Sequence, residues 1–94
     1  MKVHNINGTS QRICKCGSWL KHWQNYSGQS LYYCPVISCM EGIEVGAHVQ
    51  KDSQYDRNWY IIPLCAKHNA ATKQSLDVAD SLKLVSANVS ETCG

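Results

Sequence analysis

Phenylalanine is absent from this chain. The large apolar volumes of a core must therefore come from Trp19, Trp23, Trp59 and the tyrosines. A marked excess of charge of one sign is also missing. The formal net charge is +2, which excludes a strongly basic nucleic-acid binder acting through bulk electrostatics. No segment approaches the roughly 18 consecutive apolar residues of a membrane span. The opening stretch MKVHNINGTSQRICK lacks the apolar run of a secretory leader. Internal repeats and low-complexity tracts are not seen. These absences point to one small cytoplasmic domain without membrane association.

What the chain does have is sulfur. Six cysteines fall in 94 residues. A chain of this length buries a modest core, and domains of this size commonly need a staple. In a reducing compartment, clustered cysteines serve metals more often than disulfides. Export by another route would make three disulfides the competing account. Two pairs have the spacing of zinc ligands. CPVISC places Cys34 and Cys39 five positions apart, and CAKH places Cys65 and His68 three apart. Zinc takes four ligands in a tetrahedron from thiolate sulfur and imidazole nitrogen. Ligands that come in local pairs close small loops, which lowers the entropic cost of assembly. On the first turn of a helix, residues three apart share a face. Helix N-terminal amides there also favour a thiolate. Cys34, Cys39, Cys65 and His68 are therefore the expected Cys3His site for a structural zinc. Cys14 and Cys16, in CKCG, are candidates for a second site with His22 or His4, or for displacing one of the four. Cys93 stands alone and reads as a reduced, packed thiol.

The elements follow from pattern. Residues 1–13 are polar and read as an arm or an edge strand; residues 14–94 read as one zinc-binding domain. Ser18 can cap a helix whose Trp19, Leu20 and Trp23 share a face, and Gly28 can end it. Those tryptophans are expected in the core, with base stacking beside Lys15 and Lys21 as the alternative. SLYYC reads as a short strand. In GIEVGAHVQ, Ile43, Val45, Ala47 and Val49 alternate with Glu44, Gly46, His48 and Gln50, the pattern of a half-buried strand with His48 on its polar face. The small residues before His48 permit a close approach by backbone or ligand. WYIIPL predicts a second strand that ends at Pro63. CAKHNAATKQSL predicts a helix holding Cys65 and His68 in its first turn. SLKLVSANV suits a strand or an irregular extended segment. The fold class is α+β, with no parallel-sheet signature.

The order of parts brings in a known family. A thiol pair on a turn precedes a strand carrying AHV, then a hydrophobic strand reading IIPLC, then a helix opening with C-x2-H. Over residues 31–74 this resembles the treble-clef (ββα-metal) zinc fold of HNH endonucleases. The resemblance implies that His48 corresponds to the general base that activates water for attack on phosphorus. It implies Cys34, Cys39, Cys65 and His68 as the zinc ligands. A catalytic Mg²⁺ or another divalent cation would fall to Asn69, at a position where many such nucleases carry histidine. Ala47 stands where an Asp or His commonly helps to hold that cation. A charge-poor site loses electrostatic stabilisation. The expected function is therefore a zinc-binding HNH-like module that binds nucleic acid or a protein partner, with catalysis reduced. Alternatives are a metal-dependent DNA endonuclease using His48, and a small phage or mobile-element adaptor or inhibitor acting on a protein.

Overall fold

The hairpin marked by alternation forms the middle of a five-stranded antiparallel sheet. A computed structural model describes residues 1–6, 17–53, 55–71 and 74–88. In chain order the elements are β1 (Lys2–Asn5), α1 (Trp19–Ser27), β2 (Val45–Lys51), β3 (Tyr60–Leu64), α2 (Ala66–Ala70), β4 (Ser75–Asp77) and β5 (Val85–Ser86). The strands lie in the order β4-β1-β2-β3-β5. β2 begins two residues later than Ile43, because the Ile43 N–H turns to the carbonyl of Tyr32.

Four expectations change. First, the described part of the N-terminal arm is no edge strand: β1 pairs with both β2 and β4, and its Val3 is fully buried. Residues 7–13 of the expected arm lie outside the described residues. Second, Pro63 lies inside β3, opposite Gly46. The Leu64 carbonyl accepts from Glu44 on the β2 side, so alternation turns the Pro63 nitrogen to the other side of the strand. There β5 pairs only with Tyr60 and Ile61, and no ladder bond is lost. Third, α2 stops at Ala70, and Ser75–Asp77 forms a strand instead of a helical continuation. Fourth, SLYYC supplies only an isolated bridge from Tyr33 to Gly42.

α1 forms as the sequence predicts. The Ser18 hydroxyl accepts from the Lys21 N–H at 3.1 Å, and Gly28 adopts φ 70° at the C-terminus. The helix lies across one sheet face and buries Trp23 and His22. A buried tryptophan removes about 150–250 Å² from water, worth roughly 4–6 kcal/mol. Trp23 thus supplies much of what phenylalanine would otherwise give. Gly46 makes this contact possible. A Cβ there would lie 2.3 Å from the Leu20 nitrogen and 2.4 Å from the Trp19 carbonyl carbon. The close approach permitted by small residues before His48 is therefore made by helix backbone.

Both sheet edges are covered among the described residues. The Trp23 indole N–H donates to the Lys83 carbonyl at 2.7 Å, and the His22 Nε2 lies 2.9 Å from the Ser86 carbonyl. These contacts fall on Ser86 in β5 and on Lys83 just before it. At the other edge, the Ile37 N–H donates to the Asp77 carbonyl at 2.9 Å and Val36 bridges Val78. The segment that carries Cys34 and Cys39 thereby lies along β4.

Candidate metal centre

The first ligand pair sits on a loop that the backbone closes tightly. Tyr33 bridges Gly42. The Cys34 N–H donates to the Glu41 carbonyl and the Cys39 N–H to the Val36 carbonyl, each at 2.9 Å. Pro35 fixes φ directly after the first thiol. Ser38 takes φ 68°, a left-handed conformation that costs a residue with a Cβ about 1–2 kcal/mol. That turn carries Cys39 back toward Cys34.

The second pair comes from the end of β3 and the start of α2. Leu64 is buried, and the strand delivers Cys65 directly from the core. Cys65 then serves as N-cap: its sulfur accepts from the His68 N–H at 3.5 Å, and its carbonyl accepts from the Asn69 N–H at 3.0 Å. The cap and the first turn place the His68 ring beside the same sulfur.

The two pairs converge. Cys34, Cys39, Cys65 and His68 present ligand atoms that all lie within 4.8 Å of one another. Cys39 Sγ is 3.9 Å from Cys65 Sγ. His68 Nδ1 is 3.6 Å from Cys34 Sγ and 3.2 Å from Cys65 Sγ. A tetrahedral zinc with ordinary bond lengths requires S–S edges of about 3.8 Å and S–N edges of about 3.6 Å. A disulfide would need roughly 2.05 Å, and all three of these cysteines are free thiols. Cys34 and Cys65 are buried, while Cys39 and His68 are half-buried. The fold and this group define a small α+β domain whose Cys3His cluster can hold a metal ion.

The thiols are tuned in opposite directions. Burial pushes the Cys34 thiol up to about 11. Burial also opposes ionisation of Cys65. The His68 amide, the Cys34 and Cys39 thiols and the Lys67 amide outweigh it, so Cys65 lies below the ordinary thiol value. Cys65 is thus more readily available as thiolate than Cys34, whose deprotonation a cation must drive against burial.

The other candidate residues do not join this group. His48 is 5 % exposed, and the Trp19 ring packs edge-on against it with centroids 4.6 Å apart. Both faces of β2 are covered, which is why a polar position of the alternating pattern is buried. Strand alternation puts His48 and Gly46 on the face under α1. Asn69 belongs to the opposite side: its side-chain oxygen accepts from the Asn5 amide at 3.3 Å, and Asn5 is paired with Val49, whose side chain points away from that of His48. The structure therefore separates His48 and Asn69 by the sheet. His22 is bound to Ser86, and His4 Nδ1 lies 2.7 Å from an Asp52 oxygen. Cys14, Cys16 and Cys93 lie outside the described residues. Sequence reasoning missed Ser38 and Asn5. A serine gives no sign of left-handed backbone, and no spacing links residue 5 to residue 69.

No known family, curated protein or solved structure matches the chain.

Proposed function

We propose that this chain is a zinc-stapled module of treble-clef, HNH-like type that works by binding a macromolecular partner. The convergence of Cys34, Cys39, Cys65 and His68 carries the reading. Three sulfurs and one imidazole suit zinc, and four protein ligands close the shell. A closed shell stabilises a fold but leaves no position for substrate, so this zinc is structural. Nucleic acid and protein, including the target of an adaptor or inhibitor, are the partner classes.

A nuclease centre fits the residues poorly. His48 lies under Trp19, and Asn69 lies across the sheet with its amide oxygen engaged by Asn5. A general base must reach the water it deprotonates, and a hard cation favours several oxygen ligands.

The test is metal content followed by activity. Elemental analysis of the purified chain is expected to give one zinc per molecule, lost on Cys65→Ser. Plasmid DNA incubated with the chain and Mg²⁺, Mn²⁺ or Ni²⁺ is expected to remain intact. Cleavage that disappears in His48→Ala would overturn the non-catalytic reading.

A further inference from the structure

Among the described residues, five of the seven large exposed apolar side chains fall in one loop, with Tyr26 and Tyr55 lying elsewhere. Leu31, Tyr32, Tyr33, Ile37 and Met40 fall within ten consecutive residues around the first thiol pair. Tyr32 is 83 % exposed, Met40 76 %, Tyr33 58 % and Ile37 56 %. Between residues 31 and 44 the single buried side chain is Cys34. The loop is held by its thiols, by the Tyr33–Gly42 bridge and by its bonds to β4. It does not need its own apolar groups for folding, so they face water. Contiguous apolar exposure of this kind marks interaction surfaces, and tyrosine and methionine are enriched in protein–protein interfaces.

Three concavities adjoin the loop. One, of about 230 Å³, is lined by Leu31, Tyr33, Pro35 and Leu82. That is below the ~300–1,000 Å³ of small-molecule sites and suits one bulky apolar side chain. A second is lined by Ile37, Met40, Glu41 and Lys67. A third, of about 440 Å³, is lined by Glu41, Ile43, Glu44 and Ala66.

Charge selects the partner class. From residue 31 to residue 44 the charged side chains are Glu41 and Glu44, both exposed carboxylates. Asp77 adjoins Ile37 through its backbone, but the N-terminal ammonium pairs with it at 3.3 Å, so it adds little to the face. Lys67 is a cation on the loop's rim, against Glu41 and Glu44. Three thiolates around Zn²⁺ add about one net negative charge. The face is thus acidic in a chain whose net charge is +2. A phosphate backbone needs cations to replace its counterions, and this face does not offer them.

We infer that the 31–44 loop is a protein-docking face for an apolar segment that carries lysine or arginine beside a bulky anchor residue. The inference rests on the structural-zinc reading for its rigidity, and it assigns the partner class which that reading leaves open.

Selection of a phage-displayed random peptide library on the full-length chain tests it. The selected peptides are expected to combine a bulky apolar residue with nearby Lys or Arg. Their affinity, followed by fluorescence anisotropy, is expected to fall at least tenfold in Tyr32→Ser/Met40→Ser and in Glu41→Lys. All of these residues are exposed, so zinc content and the thermal transition are expected to stay at wild-type values. Four results would overturn the inference: no selected peptide, peptides lacking that signature, binding unchanged in both variants, or a wild-type dimer that the double variant dissociates. Labelled 20-mer single- and double-stranded DNA are run alongside, and binding of either that falls in the same variants also overturns it. A chain that purifies without zinc but selects the same peptides, with the same losses, supports the docking face and refutes the metal reading.

Discussion

At Gly46 the absence of one carbon atom decides how the helix meets the sheet. A methyl group there would overlap the backbone of Trp19 and Leu20, which cannot swing aside as a flexible side chain can. Gly46→Ala is therefore expected to destabilise the chain by at least about 1–3 kcal/mol, measured by urea unfolding. Zinc binding should survive better than stability, because the ligands lie on the loop and around the start of α2, away from the contact of Gly46 with α1. Ser38 is the opposite case. It is held at φ 68°, and glycine occupies that region without a Cβ penalty. Ser38→Gly is expected to raise stability by about 1 kcal/mol, read from the same unfolding curves. Glycine also loses more conformational freedom on folding, so a loss instead of a gain would show that entropy outweighs the relieved strain.

Among the elements, the tie between β1, β4 and the end of β2 centres on Asp52. Its carboxylate accepts from the Ser75 hydroxyl and lies against His4. The Ser75 hydroxyl first, and then His4, holds Asp52 below the usual carboxylate range. A group with a lowered folded value contributes stability above its unfolded value. That stability is lost as pH falls from the ordinary aspartate range through the lower folded value. Asp52→Asn is expected to flatten acid unfolding in that window and to cost about 1 kcal/mol or less at neutral pH, as partly exposed pairs do. Thermal melts over an acid pH series check both. The same scale shows what the chain discloses by itself. α1 is legible end to end, because Ser18 and Gly28 are local signals with local causes. The β2–β3 hairpin is legible because its alternation is clean. β4 is not: it is three residues long, and its pairing with a distant strand leaves no periodic trace, whereas β5 falls inside SLKLVSANV, where a strand or extended segment is expected. The four ligands are legible from spacing alone. The burial of His48 is not, because a strand with one polar face looks the same whether water or a helix covers it.

For the whole molecule, the metal is set against a thin core. A structural zinc contributes roughly 10–16 kcal/mol of apparent binding energy, whereas entire domains are stable by about 5–15 kcal/mol. Removing the ion is therefore expected to unfold the chain, not merely loosen a loop. Circular dichroism before and after verified chelation checks this, and an unchanged melting curve in zinc-free protein would contradict it. Because a cation must deprotonate Cys34, whose thiol burial pushes up to about 11, zinc affinity is expected to weaken as pH falls. Competition with a chromogenic chelator across pH 6 to 8 measures the slope.

The loop that carries Cys34 and Cys39 also lies along β4, with Ile37 bonded to Asp77 and Val36 bridged to Val78. Chelation that frees this loop before the sheet itself is lost would therefore uncover a row of backbone donors and acceptors on a sheet flank, the surface through which separate copies can join strand to strand. Stripped protein should then turn cloudy on standing, earlier at higher concentration, and prompt return of the ion should restore clear solution. An ion held by these four residues would thus guard solubility as well as add stability.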